Sequence, residues 1–230
     1  MSRILITGSS KGLGLALAET LRSQGHTVYG FDINNGGDVR NPTFVDIDGS
    51  QRTIPEIDVL INNAGVNVIN WLEDFEEEDW DKVMDTNAKG IYMMSKACLP
   101  MLAKNEGTIV NIVSNAAHMP MTCSLAYNAS KAAAHIMTLQ LARELTKKHN
   151  ITVFGIAPNK LSGTGMSDAI DEQVVATRGW SKEYAQEYQL NGLLTGKETP
   201  PILLAEFMAY LLQSKKHHEY LTGCILPYGA

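Results

Sequence analysis

Tyr127 and Lys131 are four positions apart in the chain, and Ser114 lies thirteen positions before Tyr127, after an apolar stretch. In a helix a four-residue step is a rotation of about 400°, so the phenol and the ammonium share one face and can act on the same ligand. Free tyrosine has a pKa of about 10, and a neighbouring Lys⁺ favours its phenolate. The three residues therefore predict a proton-transfer site with Tyr127 as general acid or base. An isolated pair of this kind would more often be a solvated helix face.

A glycine-rich turn follows the first apolar segment. Residues 7–14 have the sequence Thr-Gly-Ser-Ser-Lys-Gly-Leu-Gly and open a helical pattern that stops at Gly25. Glycines allow the backbone to approach a pyrophosphate, and the N-terminus of the helix then receives the anion. The pattern indicates a nucleotide-phosphate site, and its alternative is a tight strand-to-helix turn without a ligand.

The spacing Thr-Gly-x-x-x-Gly-x-Gly resembles the short-chain dehydrogenase/reductase family in its compact, single-domain form. Further matches follow in the family's order over essentially the whole chain: residues 62–65 (Asn-Asn-Ala-Gly), Asn87, Ser114, the Tyr-x-x-x-Lys step, and residues 221–223 (Leu-Thr-Gly). The resemblance implies a catalytic tetrad of Asn87, Ser114, Tyr127 and Lys131. The glycine spacing and the short C-terminal region argue against the extended epimerases and dehydratases that share the Tyr-x-x-x-Lys step.

The resemblance also implies a role for each member of the tetrad. Tyr127 would exchange a proton with the carbonyl or alcohol oxygen, and Ser114 would hydrogen-bond that oxygen. Lys131 would lower the pKa of Tyr127 and hold the nicotinamide ribose. Asn87 would help to hold a water chain that reaches Lys131. The alternative for Asn87 is a helix-kink or capping residue, since asparagine often bonds nearby backbone.

The cofactor is expected to be NAD. Asp32 follows Gly14 by eighteen positions, near the separation at which a carboxylate accepts hydrogen bonds from the adenosine ribose. A carboxylate there would repel the 2′-phosphate of NADP, whereas Lys11 is a family feature often seen with NADP, so NADP is the alternative. The other positions that match the family's cofactor contacts are Gly8, Ser10, Gly12, Leu13, Gly14, Asp46, Ile47, Asn63, Ala64, Gly65, Pro158, Leu161 and Thr164, together with Tyr127 and Lys131.

Length and element pattern predict one α/β domain over residues 1–230. The chain has 230 residues, of which 44% are hydrophobic, which is enough for a full core. Strands alternate with helical patterns, so we expect a doubly wound, Rossmann-like parallel sheet. The strands are expected near residues 3–7, 27–32, 43–46, 58–62, 108–113, 151–157 and 222–226. A substrate loop or lid is expected at about 158–200.

Two connections are too short for complete crossover helices. Thirteen residues separate Asp32 from Asp46, and eleven separate Asp46 from Asp58. A crossover with its helix needs about ten to twelve residues outside the strands. The helices after the second and third strands should therefore be shortened or absent. In a 3-2-1-4 strand order the second crossover spans about 14 Å, which eleven extended residues can reach, and the adenine end should be unusually open.

Two further departures from the family pattern lie in the C-terminal half. Asn159 stands where the family has glycine, and Thr164 comes one place late for a ligand of the nicotinamide amide. Asparagine tolerates left-handed backbone, so we expect the turn at Asn159 to be kept. The chain ends Pro-Tyr-Gly-Ala, where the family favours an acidic residue and paired glycines. We expect that ending to affect subunit contacts more than chemistry.

Charge and composition argue against several classes of function. The net charge of −6 argues against general nucleic-acid binding. The first apolar stretch is short and has no charged leader, so we expect neither a secretory signal nor a membrane span, and a cytosolic protein. The three cysteines are widely separated and the histidines lack ligand spacing, so we expect neither disulfides nor a metal site.

The substrate is expected to be a partly apolar carbonyl or alcohol compound. The predicted pocket is walled by residues 114–127, with Asn115, His118, Met119 and Met121, and by residues 162–198, with Met166, Trp180, Tyr184 and Tyr188. Methionines are also ordinary core filler. The leading hypothesis is an NAD-dependent alcohol dehydrogenase or carbonyl reductase. The alternatives are an NADPH-dependent reductase of 3-oxoacyl thioesters and a non-catalytic dinucleotide-binding regulator. A homotetramer or homodimer is expected, built on helices around residues 81–102 and 125–148.

Overall fold

The computed structural model describes residues 1–42, 44–45, 51–52 and 55–229. Its strands are β1 (Arg3–Thr7), β2 (Thr27–Phe31), β3 (Phe44–Val45), β4 (Gln51–Arg52), β5 (Val59–Asn62), β6 (Thr108–Ile112), β7 (Thr152–Pro158) and β8 (Ile225–Tyr228). Its helices are α1 (Gly12–Ser23), α2 (Glu77–Met84), α3 (Gly90–Lys104), α4 (Leu125–His149), α5 (Gly165–Arg178), α6 (Lys182–Asn191), α7 (Pro201–Leu212) and α8 (Lys215–His218).

Six parallel strands form the main sheet in the order β2-β1-β5-β6-β7-β8. Successive side chains on a strand point to opposite faces, so Ile4 and Ile6 of β1 pack with α1 and α7, whereas Leu5 packs on the side of α3 and α4. Both faces are therefore covered by helices. This confirms the doubly wound, Rossmann-like sheet.

The connection from β2 to β5 is as short of helix as the spacing predicts. In the described part of this connection, the helical structure is one 3₁₀ turn, Ile33–Asn35. We expected the strand near residues 43–46 to join the parallel sheet. That expectation is wrong, because Phe44–Val45 pairs antiparallel with Gln51–Arg52 in a separate two-stranded hairpin. An antiparallel pair needs only a short connection, whereas a further parallel strand needs a full crossover in each direction.

The two long helices lie where the sequence predicts them. α4 spans Leu125–His149, and a continuous helical run from α2 to α3 covers the first prediction. The run contains one π-helical turn, Asp85–Lys89, which the sequence pattern did not indicate. The last strand was predicted too early: residues 221–223 form the turn before β8, where Gly223 N–H donates to the Val153 carbonyl (2.8 Å).

Three further observations on the described residues concern membrane spans, metal sites and cysteines. No helix among them is both long and apolar enough to cross a membrane. They contain no group of three His, Cys, Asp or Glu side chains placed to hold a metal ion. Cys98, Cys123 and Cys224 are free thiols, and burial raises the pKa of Cys98 to about 12.

Candidate active site

Ser114 and Tyr127 meet because the chain turns sharply between β6 and α4. Ser114 caps a 3₁₀ turn, Asn115–Ala117, and its Oγ accepts a hydrogen bond from Ala116 N–H (3.1 Å). Burial raises the pKa of the Tyr127 phenol, and a hydrogen bond with Ser114 acts in the opposite direction. The phenol is thus a protonated group held against the serine hydroxyl.

Lys131 lies one helical turn after Tyr127 on α4 and is only 5% exposed. Its Nζ donates to the Ile112 carbonyl (2.9 Å) and lies 5.7 Å from the centre of the Tyr127 ring. Burial lowers the pKa of Lys131 to about 8. We expected Lys131 to lower the pKa of Tyr127. Instead the pKa of Tyr127 is raised, because the effect of burial is larger.

Asn87 occupies the π turn between α2 and α3 and is almost fully buried. Its Nδ2 donates to the Val66 carbonyl (2.9 Å) and to Ser130 Oγ (3.0 Å), and its Oδ1 accepts from Val66 N–H (2.8 Å). Ser130 Oγ in turn donates to the Tyr127 carbonyl (2.8 Å). Asn87 therefore ties the segment after β5 to the helix that carries Tyr127 and Lys131.

The glycine-rich turn has the backbone that a phosphate site requires. Gly8 and Gly12 have φ values of 66° and 55°, in the left-handed region that favours glycine. A Cβ added to Gly14 would overlap the Gly8 carbonyl. α1 begins without a side-chain cap and without an acidic residue in its first turn. Its N-terminal N–H groups and positive dipole end are thus available to an anion, which fits the pyrophosphate of a dinucleotide.

The end of β5 holds this turn in place. Asn63 Nδ2 donates to the carbonyls of Thr7 (3.0 Å) and Gly8 (3.1 Å), and the N–H groups of Asn63 and Ala64 both donate to Thr7 Oγ1 (2.9 Å each). A Cβ on Gly65 would lie 3.8 Å from Lys131 Nζ. The structure therefore brings residues 63–65 between the glycine-rich turn and Lys131.

Comparison with known proteins identifies the family. The family model for short chain dehydrogenase matches residues 38–175. The chain is 33% identical over 247 residues to sorbitol-6-phosphate 2-dehydrogenase of Klebsiella pneumoniae, with 96% of this chain and 91% of that protein covered. It is 34% identical over 240 residues to the 3-oxoacyl-acyl-carrier-protein reductase FabG of Vibrio harveyi, with 95% and 92% covered. The chain belongs to the short-chain dehydrogenase family.

A solved structure of an NAD⁺-bound xylitol dehydrogenase has the same fold. The match covers 99% of this chain and 98% of the chain in that structure, with a TM-score of 0.85 and 22% sequence identity. The short-chain dehydrogenases are oxidoreductases that use NAD(P), and this chain is an oxidoreductase of alcohols or carbonyl compounds within that family.

Asp32 lies at the adenosine end expected of a short-chain dehydrogenase and is 7% exposed. Its carboxylate accepts hydrogen bonds from Ser10 N–H (3.0 Å) and Asn34 N–H (2.9 Å). Burial alone would raise its pKa, but these hydrogen bonds and the charge of Lys11 leave the pKa below its usual range. Asp32 is therefore ionised at neutral pH. The neighbouring Lys11 side chain is exposed.

Thr164 keeps its expected neighbourhood despite its shift in sequence. It caps α5, with Oγ1 accepting from Ser167 N–H (3.0 Å), and its methyl group would lie 3.5 Å from a Cβ on Gly12. The N-terminus of α5 thus faces the glycine-rich turn. Pro158 ends β7 beside Tyr228, Leu161 pairs with Thr199, and Leu13 is buried in the core. Asp46 and Ile47 lie outside the described residues.

Asn159 does not keep a left-handed turn, so that expectation is wrong: its φ is not positive. Its Nδ2 donates to the Gly229 carbonyl, its Oδ1 accepts from Thr199 Oγ1 (2.6 Å), and its N–H donates to the Tyr228 carbonyl (3.0 Å). The unusual residue after Pro158 and the unusual C-terminal ending are therefore in direct contact. The ending supports the segment that leads to Thr164 within the same chain.

The expected pocket residues are only partly brought together. His118 Nε2 lies 3.0 Å from His135 Nδ1 on α4, so the two rings pair with each other. Trp180 packs against Tyr184 and Tyr188, with ring centres 5.0 and 4.9 Å apart. Met119 and Met121 are exposed, Met166 is partly buried near the start of α5, and Asn115 opens the 3₁₀ turn after Ser114.

The sequence analysis missed the segment 66–71. Ile69 N–H donates to Gln173 Oε1 (3.1 Å), and Trp71 Nε1 donates to the Thr177 carbonyl (3.0 Å), so α5 is docked against this segment. A further contact joins α5 to residues 114–127, the other predicted wall of the pocket, because Arg178 donates to the Thr122 carbonyl. Asn67 and Asn70 are polar interruptions of an otherwise apolar stretch, which is the one signal that the sequence offered.

Proposed function

We propose that this short-chain dehydrogenase transfers a hydride between NAD and an alcohol or carbonyl substrate, with Tyr127 as general acid or base. The observation that carries the proposal is the placement of the Tyr127 phenol beside Ser114, with Lys131 buried and its Nζ 5.7 Å from the centre of the same ring. A protonated phenol against a second donor can hold one substrate oxygen and deliver one proton to it.

Tyr127 and Ser114 act on that oxygen together, and Lys131 and Asn87 support them. In reduction, Tyr127 donates its proton to the carbonyl oxygen while Ser114 hydrogen-bonds the same atom and stabilises the charge that develops there. In oxidation, Tyr127 takes the proton of the alcohol. Lys131, with a pKa of about 8, can pass a proton onward near neutral pH. Asn87 positions Val66 and Ser130 and so fixes α4 relative to the end of β5.

The nicotinamide cofactor supplies or accepts the hydride. The glycine-rich turn and the N-terminus of α1 would hold its pyrophosphate, and Asp32 its adenosine ribose. Thr164, which faces the glycine-rich turn, would hold the nicotinamide half together with Lys131. The segment 158–200 would act as the substrate loop, since α5 is docked over the segment 66–71.

Support for NAD over NADP comes from the ionised, nearly buried Asp32. Its charge would face the 2′-phosphate of NADP, whereas the ribose hydroxyls of NAD can donate to it. The exposed Lys11 is the feature that favours NADP. A cytosolic homotetramer or homodimer is part of the same proposal.

The alternative function is NADPH-dependent reduction of 3-oxoacyl thioesters. The Vibrio harveyi relative is named as a reductase of 3-oxoacyl-acyl-carrier-protein. A panel of alcohols, ketones and an acetoacetyl thioester, followed at the NADH absorbance band with each cofactor, tests the proposal. Turnover of alcohols or ketones with NAD(H) supports it. Turnover confined to the thioester with NADPH establishes the alternative, and absence of turnover with normal cofactor binding contradicts both.

A further inference from the structure

Asn128 lies near the start of α4, and its side chain binds one neighbouring segment at three points. Its Nδ2 donates to the carbonyls of Ala116 (2.6 Å) and Met119 (2.8 Å). Its Oδ1 accepts a hydrogen bond from Met121 N–H (3.2 Å). Both N–H donors and the carbonyl of the amide are therefore used on the same stretch of backbone. Asn128 holds residues 116–121 against the first turns of α4.

This segment depends on side chains for its position. Residues 118–121 form a turn and irregular backbone, which has no ladder or helical hydrogen bonds to place it. A second contact joins the segment to α4, where His118 Nε2 lies 3.0 Å from His135 Nδ1. Because α4 holds the segment at two places, we expect loss of the Asn128 contacts to shift the segment without releasing it.

Ala116 connects Asn128 with the Ser114 hydroxyl. The Ala116 carbonyl accepts from Asn128, and the Ala116 N–H donates to Ser114 Oγ (3.1 Å). A serine hydroxyl has one O–H donor and two acceptor lone pairs. The Ala116 N–H occupies one lone pair and leaves the O–H free to donate to an oxygen beside it. The position of Ser114 Oγ is therefore tied to the position of Ala116.

These contacts form a closed chain around the proposed site of the substrate oxygen. Asn128 follows Tyr127 directly in α4 and binds Ala116. Ala116 binds Ser114, whose hydroxyl acts on the Tyr127 phenol and lowers its pKa by hydrogen bonding. A misplacement of about 1 Å caused by a mutation away from the chemistry can cost about 10²-fold in rate. The alignment of the two hydroxyl groups is thus a quantity on which turnover depends.

We propose that Asn128 is a positioning residue that sets the Ser114 hydroxyl against the Tyr127 phenol. This inference rests on the proposed function. Asn128 acts through Ala116 and not by contact with the reacting atoms. Its role complements that of Asn87, because Asn87 joins α4 to the segment after β5, whereas Asn128 joins α4 to the segment after β6.

The test is a double-mutant cycle of Asn128→Leu with Ser114→Ala. Leucine keeps the approximate size of the side chain and removes both polar ends of the amide. The assay is oxidation by NAD⁺ of the fastest substrate among cyclohexanol, 2-hexanol, xylitol and sorbitol. We expect Asn128→Leu to lower kcat by about 10- to 100-fold in the wild-type background. In the Ser114→Ala background we expect a loss of less than about threefold, because no hydroxyl remains to be positioned.

The pH profile separates positioning from a purely structural role. In oxidation Tyr127 acts as the base, so kcat/KM rises with pH through the pKa of its phenol. The Ser114 hydroxyl lowers that pKa, so its displacement in Asn128→Leu should move the rise to higher pH. Ser114→Ala should cause the same shift, and the double variant should shift no further. An unshifted profile in Asn128→Leu would overturn the inference.

Asn105→Leu is the matched control. Asn105 is also partly buried, and its Nδ2 donates to the Ile57 carbonyl (2.9 Å) near the amino end of β5, away from the catalytic residues. We expect this variant to keep the wild-type kcat and pH profile. Calorimetric titration of NADH into Asn128→Leu should give the wild-type Kd. A Kd that weakens as much as kcat falls would assign the effect to the cofactor site and overturn the inference.

The remaining outcomes distinguish this inference from the proposed function. An equal loss of kcat on Asn128→Leu in both backgrounds would overturn the role of Asn128 and leave the oxidoreductase assignment intact. Should Asn128→Leu not fold, Asn128→Ser takes its place in the cycle, since its shorter side chain has one donor for two carbonyls. A wild type that binds NADH but turns over no alcohol, ketone or thioester would contradict the proposed function and this inference with it.

Discussion

At the scale of single residues, the chemistry depends on burial acting on two neighbouring groups in opposite senses. Burial raises the pKa of Tyr127 and lowers that of Lys131 to about 8, so both groups are driven toward their neutral forms. A neutral phenol can give a proton, and a neutral amine can take one. A proton that passes from the phenol to the amine leaves a phenolate beside an ammonium, two opposite charges that stabilise each other.

Replacement of Tyr127 by phenylalanine keeps the ring and removes the transferable proton. We expect Tyr127→Phe to lower kcat by about 10²- to 10⁴-fold, which is the usual contribution of an acid–base catalyst. Because the ring remains, the Kd for NADH should change little. Steady-state kinetics and calorimetric titration measure the two quantities. Near-normal turnover in this variant would contradict the mechanism.

Replacement of Lys131 by methionine tests the lowered pKa through stability. The pKa of Lys131 falls from the ordinary value of 10.5 to about 8 in the folded chain, so its charge opposes folding below pH 8. This penalty fades as the pH rises from about 8 to 10.5, where the unfolded state binds more protons than the folded state. Between pH 7 and 9.5 the free energy of unfolding of the wild type should rise by about 2 kcal/mol relative to Lys131→Met.

Urea denaturation of the two proteins at both pH values measures that difference. The comparison is between differences, so groups that titrate equally in both proteins cancel. A gap between wild type and Lys131→Met that stays constant from pH 7 to 9.5 would show that Lys131 keeps its ordinary pKa in the folded chain.

At the scale of elements, three segments converge at the end of the sheet where we propose the cofactor binds: the glycine-rich turn, the end of β2 and the N-terminus of α5. Asp32 bonds the backbone of the glycine-rich turn, and Thr164 faces Gly12 from α5. Asp32 thus holds the turn proposed for the phosphates in addition to its proposed contact with the ribose. A change at Asp32 should act on both.

Cofactor choice follows from Asp32 and Lys11. A 2′-phosphate carries roughly two negative charges, and at 5 Å and an effective dielectric near 40 it would be repelled by a carboxylate by about 3 kcal/mol before screening. We expect NADH to bind at least about tenfold more tightly than NADPH. Asp32→Ala should narrow or reverse the gap, and Lys11→Ala should widen it. Calorimetric titrations decide the point, and equal affinities in the wild type would show that Lys11 governs the site.

The contact between Asn159 and the C-terminal ending should contribute to stability. Asn159→Gly restores the residue usual in the family but removes the bonds to Gly229 and Thr199. We expect the free energy of unfolding to fall by about 1–3 kcal/mol, because the buried hydroxyl of Thr199 loses its acceptor. Thr199→Val is the matched variant and should cause a loss of similar direction in urea denaturation. Increased stability of Asn159→Gly would show that the glycine is better suited to this turn.

The sequence predicted features that depend on neighbouring residues in the chain, such as buried strands. It missed features that depend on distant residues, such as strand pairing and side-chain hydrogen bonds. Residues 151–157 are apolar apart from Thr152, and this run forms most of the fully buried β7, Thr152–Pro158. Phe44 and Val45 have the residue types of a strand, but residue type does not specify the pairing partner, and the wrong partner was expected. Asn159 was assigned by its backbone tolerance, whereas its side-chain bonds decide its role. Asn128 occupies an x position of the Tyr-x-x-x-Lys step, and its hydrogen bonds exist only in the folded chain.

At the scale of the whole molecule, large apolar side chains remain exposed on the two long helices. Tyr92 on α3, and Leu125 and Ile136 on α4, are 48%, 50% and 61% exposed. Large apolar side chains that are exposed in the single chain are often covered at a protein interface. The position of these residues supports an oligomer built on α3 and α4.

Assembly can be measured directly. We expect a tetramer or dimer by light scattering at micromolar concentration. Ile136→Glu should shift the protein toward a smaller species, since it places a charge on the proposed interface. Gln186→Glu, at an exposed position of α6, is a control for the added charge away from α3 and α4. A wild-type monomer would overturn the proposal.

The π turn of residues 85–89 makes the position of Asn87 depend on the exact number of residues in the helix. A π turn holds one more residue than an α turn, and each residue advances a helix by about 100°. Loss of one residue from this turn would allow uninterrupted α-helix and rotate Asn87 relative to α3 by that angle, away from Val66 and Ser130. A homologous gene could therefore keep all four tetrad codons and lose the site through a single in-frame codon deletion. In this chain the active site therefore depends on the number of residues in the π turn, which sets the direction of the Asn87 side chain, as much as on the identity of the four residues.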